Sequence, residues 1–129
     1  LRRTVFATSF DATLARLRRL RPGASCLVLG APDQARRLRG SWQTPEGLAL
    51  IVEEQRAAAR RPGCAFWNLQ AAMGGPGAIF RWVAARPPLA QSDHLHLTGN
   101  AYRALGQALY EALRGVTATT GASSLAGPN

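Results

Sequence analysis

Ser25-Cys26-Leu27-Val28-Leu29 is a short apolar run, with Arg21-Pro22-Gly23 before it and Gly30-Ala31-Pro32-Asp33 after it. A run this short, with no polar alternation, reads as a strand buried on both faces. Cys64-Ala65-Phe66-Trp67-Asn68-Leu69, behind Arg61-Pro62-Gly63, reads as a second such strand. Strands buried on both sides need helices on both sides, and the flanking segments supply them. Phe6, Phe10, Leu14, Leu17 and Leu20 recur at spacings of three and four, one face of a helix over 6–20 that Arg21-Pro22-Gly23 ends. Residues 36–44 read as a loop. Thr44 and Pro45 then suit the N-cap and first position of a second helix, carried by Leu48, Ile51 and Val52.

Beyond the second strand, Met73-Gly74-Gly75-Pro76-Gly77 is a turn. A short helix is expected over 78–85 and a loop at Arg86-Pro87-Pro88. A last helix is expected over 98–113, with Ala101, Leu105, Leu109 and Leu113 on one face and Thr98 as its cap. The order α-β-α-β-α-α predicts an α/β domain whose parallel sheet is flanked by helices. Two strands make a poor sheet. Either further strands precede Leu1, or the chain is the terminal half of a larger α/β domain. Residues 1–114 are assigned to that domain. Residues 115–129, rich in Thr, Ser, Gly and Ala, are expected to form a disordered tail.

The chain has 129 residues, a hydrophobic fraction of 47% and a net charge of +9, and all 16 basic residues are arginine. This supports one packed domain or part of one. No apolar run approaches the ~18 residues of a membrane span, and no hydrophobic stretch of a signal peptide follows Leu1-Arg2-Arg3-Thr4. The arginines are spread over helix faces and loops, which reads as solvated surface and disfavours a nucleic-acid partner. Cys26 and Cys64 lie in apolar runs outside any C-x-x-C pair and read as buried free thiols. Two Cys far from each other and from the two His suggest no metal site, and no cofactor motif is present.

Both histidines fall in Ser92-Asp93-His94-Leu95-His96-Leu97-Thr98. An Asp and a His three residues apart meet within one turn. Asp93 can accept from Nδ1–H of His96 and leave Nε2 free to act as a base. His94 is a weaker candidate, as a loop donor. Trp42 and Trp82, in or near loops, are weak candidates for a sugar site, whereas Trp67 reads as core. Gly74-Gly75-Pro76-Gly77 lacks the lysine and spacing of a phosphate loop and reads as a turn.

In this order the segments resemble the SGNH (GDSL-type) hydrolases. That family's last block is an Asp-x-x-His followed by Leu or Pro, Thr and a helix containing Tyr. Here it is Asp93-His94-Leu95-His96-Leu97-Thr98-Gly99-Asn100-Ala101-Tyr102. Upstream, residues 17–24 and 26–33 look like the helix and strand before the family's substrate-side loop. Residues 64–69 and 72–75 look like a branch of acetylesterases acting on cell-envelope sugars. The resemblance implies a flavodoxin-like three-layer fold and a Ser-His-Asp esterase, with His96 as general base and Asp93 as its orienter. It also implies a carbohydrate or other small ester as substrate, and export of the full-length protein to the periplasm or beyond. The family's Gly-Asp-Ser block, with the nucleophile, and its Gly and Gly-x-Asn oxyanion blocks are absent.

Three readings follow. In the first, the chain is the C-terminal half of such an esterase, with the serine upstream or on a partner chain, and it pairs with that missing half or with itself. In the second, it is a non-catalytic remnant or an arginine-rich module that holds an acidic polymer. In the third, the chain is complete and Ser41, in Gly40-Ser41-Trp42, is the nucleophile.

Overall fold

A computed structural model describes residues 3–118. Its frame is a parallel pair, β1 (Leu27–Leu29) and β4 (Ala65–Trp67), with Leu27 opposite Ala65, Val28 opposite Phe66 and Leu29 opposite Trp67. Successive side chains of a strand point to opposite faces, so two cores form. On one face Val28 and Phe66 pack with Leu14 of α1 (Arg3–Leu20) and with Val52, Ala58 and Ala59 of α2 (Leu48–Arg60). On the other, Trp67 packs with Met73, Ala78, Ile79, Ala90, Leu97, Ala101 and Leu105. That second layer is α3 (Leu69–Ala72), α4 (Ala78–Ala84) and α5 (Gly99–Ala118). The result is the expected parallel sheet flanked by helices. Burial of a side chain such as Val52 or Ile79 contributes about 1.5–3 kcal/mol, so these two clusters, more than the two short strands, hold the layers together. Gly30 extends β1, donating to Trp67 O at 2.9 Å. A Cβ there would lie 2.8 Å from the Phe66 ring, so any larger residue would have to push that ring aside.

Several boundaries differ from the sequence reading, each for a local reason. Residues 36–44 are not a plain loop but a hairpin, β2 (Arg36–Leu38) against β3 (Ser41–Gln43). Its two-residue turn, Arg39-Gly40, has φ of 48° and 84°, the pattern of a type I′ turn. The usual first residue of that turn is Asn or Asp; an arginine there hides the signal. Helix α2 starts at Leu48, not Pro45, because residues 45–47 close a tight turn in which Leu48 N–H donates to Pro45 O at 3.0 Å. Strand β4 stops at Trp67 because the Asn68 side chain accepts from Ala71 N–H at 3.0 Å and caps α3. Helix α5 runs to Ala118, so residues 115–118 continue it rather than begin a tail. The rest of the expected tail, 119–129, lies outside the described residues.

Cys26 and Cys64 are not free thiols. They form a disulfide, with their Cα atoms 4.7 Å apart. The spacing of 38 residues concealed it. The two cysteines precede β1 and β4 by one residue each, so the parallel register that sets Leu27 opposite Ala65 also sets Cys26 opposite Cys64. Closing a loop of that length is worth about 4 kcal/mol in the chain-entropy picture. No helix is long and apolar enough to cross a membrane among the described residues.

Candidate active site

The residues before α5 form a compact turn. Thr98 caps the helix as expected, accepting from Ala101 N–H at 3.4 Å, and its hydroxyl donates to Pro88 O at 2.8 Å. Ala90 and Leu97 pair across a single bridge, and Gln91 N–H donates to His96 O at 2.8 Å. Both ends of the stretch from Asp93 to His96 are thereby tied to the core through the buried residues Ala90 and Leu97.

Within that stretch Asp93 is fully directed. Its Oδ1 accepts from Leu95 N–H and His96 N–H, both at 3.0 Å. Its Oδ2 lies 2.6 Å from Nδ1 of His96. A carboxylate offers only acceptors, so Nδ1 carries the hydrogen, and in the neutral ring Nε2 keeps its lone pair. Nε2 has no protein partner among the described residues. The hydrogen bond from the His96 ring, followed by the two backbone donors, holds the Asp93 carboxyl down at about 2, against an ordinary 3.8. Both side chains stay open to solvent, 68% exposed for His96 and 49% for Asp93. An exposed pair of this kind contributes little to folding. What three hydrogen bonds on one carboxylate do accomplish is to fix the tautomer and the plane of a histidine ring.

The other sequence candidates separate. Trp42, on β3, stacks on the His94 ring, with centroids 4.2 Å apart. Both therefore sit at the turn that holds Asp93 and His96. Trp82 lies elsewhere, half-buried against the core of the second layer, its carbonyl accepting from Leu89 N–H and Ala90 N–H. Ser41 Oγ donates to Leu38 O and accepts from Gln43 Nε2, inside the hairpin. No hydrogen bond joins any serine side chain to His96 among the described residues. A cleft of about 370 Å³ between α1 and α2, lined by Phe6, Arg36, Leu48, Ile51 and Glu54, does not include the acid–base pair. No cluster of His, Cys, Asp and Glu able to hold a metal occurs among the described residues.

Sequence reading missed two features around the turn. Asp33 is fully buried, with Oδ1 accepting from Gln70 Nε2 at 2.8 Å and Oδ2 from Ile79 N–H at 2.9 Å. Two residues on, Ala35 N–H donates to His94 O at 2.9 Å. The loop after β1 is thus pinned to α3 and α4 by Asp33 and to the acid–base turn by Ala35. A charged residue right after a buried strand was the available hint. Phe80 of α4, whose ring is 5.6 Å from that of His94, gave no such hint.

No protein-family model matches the chain, and no curated protein sequence is similar to it. One solved structure does match, described as "Peptidoglycan O-acetylesterase in action, 5 min". The TM-score is 0.83 at 25% sequence identity, over 93% of this chain and 34% of that one. The chain therefore spans about a third of the length of the protein it resembles.

Proposed function

We propose that this chain, which has the fold of the SGNH hydrolases, supplies the acid and base of an esterase that removes acetyl groups from a cell-envelope carbohydrate. The observation that carries the reading is the Asp93–His96 pair, joined at 2.6 Å through Nδ1 on an exposed ring, in a chain that superposes on a peptidoglycan O-acetylesterase. In this mechanism His96 Nε2 takes the proton of a serine hydroxyl as its oxygen attacks the acetyl carbonyl. The tetrahedral intermediate collapses as His96 gives that proton to the departing sugar oxygen. Water, deprotonated by the same nitrogen, then releases acetate from the serine. Asp93 holds the ring and stabilises its charged form in both halves of the cycle. It takes up no proton itself.

The serine and the oxyanion donors come from polypeptide outside these 129 residues. The sheet has room for that polypeptide: β1 and β4 pair only with each other among the described residues, so each keeps one unpaired edge. The Cys26–Cys64 disulfide suits an oxidising compartment, and so an exported protein.

The test is to read the coding frame upstream of Leu1, express the longest protein it encodes, and measure acetate release from O-acetylated peptidoglycan. A Gly-Asp-Ser block is expected there, together with release that falls by roughly 10⁴ in His96→Ala and in Asp93→Asn. A frame without that block, or a His96→Ala protein as active as the parent, overturns the proposal.

A further inference from the structure

Three aromatic rings meet beside the Asp93–His96 turn, and the acid–base chemistry uses none of them. His94 has a φ of 57°, a left-handed conformation uncommon for a residue with a side chain. It is held there at three points. Its N–H donates to Gln91 O at 3.0 Å, its carbonyl accepts from Ala35 N–H at 2.9 Å, and its Nδ1 lies 2.9 Å from Ser92 O. The fixed ring then stacks on Trp42, planes within 25°, and meets Phe80 at a tilt of 57°. A hairpin, a short helix and the catalytic turn thus converge on one imidazole. Trp42 and Phe80 nevertheless stay 37% and 36% exposed. The two rings thus leave an aromatic surface in water at the turn that holds Asp93 and His96.

The hairpin adds a charge. Arg37 is the direct cross-strand partner of Trp42, and directly opposed residues of an antiparallel pair project from the same face. Arg37 therefore stands beside Trp42 on the face that carries the stack. Its Nε donates to Gly40 O at 3.4 Å, and no carboxylate pairs with it among the described residues. An exposed indole with a guanidinium at its side matches a ligand that offers an apolar ring face and an acid group together.

The geometry points to a glycan subsite: Trp42 and Phe80, steadied by His94, take the C–H face of a pyranose, and Arg37 takes a carboxylate carried by that sugar. The occupant is an acidic hexose of the polymer whose ester His96 serves. The identity of that occupant rests on the esterase reading, but the binding needs no serine and is measurable on this chain.

The probe is the disaccharide of N-acetylglucosamine and N-acetylmuramic acid, titrated into ¹⁵N-labelled protein while the three indole N–H resonances are followed. The Trp42 resonance is expected to move saturably while those of Trp67 and Trp82 stay in place. Trp42→Ala is expected to weaken Kd by about tenfold or more. Because that change also removes support from His94, Trp42→Phe is the companion variant and is expected to recover part of the affinity. Arg37→Met is expected to weaken the acidic disaccharide and to leave neutral chitobiose unaffected. No saturable Trp42 shift at millimolar sugar, an unchanged Kd in Trp42→Ala, or tighter binding of a single-stranded oligonucleotide than of the sugar each overturns the subsite. The two proposals fail separately. Sugar binding without acetate release by the longer protein removes the esterase and keeps the subsite; acetate release with an unaltered KM in Trp42→Ala does the reverse.

Discussion

Asp33 and Asp93 each use both carboxylate oxygens to accept from a backbone N–H and from a side-chain nitrogen, yet one is fully buried and the other about half exposed. The difference lies in what happens when the carboxylate is removed. Asp33 is closed off from solvent, so without it Gln70 and the Ile79 N–H are left as buried donors without a partner. Around Asp93 water takes over at once. Equal hydrogen bonding therefore means fold maintenance in the first region and orientation in the second. An exposed ion pair is a poor investment in stability, and the ordering of the Asp93–His96 turn fits the role of base proposed for His96.

The comparison breaks most visibly at Asp33. Asp33→Ala is expected to cost about 2–5 kcal/mol in urea unfolding, since two buried donors lose their acceptor. A loss below about 0.5 kcal/mol, the range of ordinary surface changes, would remove the distinction between the two sites.

At Asp93 the expected effect on folding is small and shows its sign in acid. The folded carboxyl titrates at about 2, below its ordinary 3.8. Its contribution to stability is thus fully present above 3.8 and is lost as pH falls through about 2. The ¹³C shift of the Asp93 carboxyl should place its midpoint near 2, and Asp93→Asn should hardly move the melting temperature at neutral pH. A midpoint at the ordinary value would mean that the His96 ring and the two N–H donors do not hold the carboxylate.

Much of this was readable from the chain. The middle of α1, the strands β1 and β4, and α5 follow from apolar spacing. The Asp93–His96 pair was legible for a different reason: both partners lie within one turn, so proximity in sequence is proximity in space. What stayed hidden depends on contacts between distant segments. Cys26 and Cys64 meet only because β1 and β4 pair in parallel. Asp33 finds Gln70 and Ile79 only after three elements pack. Trp42 reaches His94 only because residues 36–43 form a hairpin, and its Arg39-Gly40 turn lacks the customary asparagine. Phe80 shows the same limit, since a seven-residue helix is too short for periodicity to betray its neighbours.

Asp93 is proposed to fix His96 as a base with Nε2 free. Long-range ¹H–¹⁵N correlation of the histidine rings in the ¹⁵N-labelled chain reads this directly. The neutral His96 ring is predicted to carry its proton on Nδ1, with Nε2 unprotonated, and to lose that preference in Asp93→Asn. A neutral ring protonated on Nε2, or a tautomer indifferent to Asp93→Asn, would contradict the account.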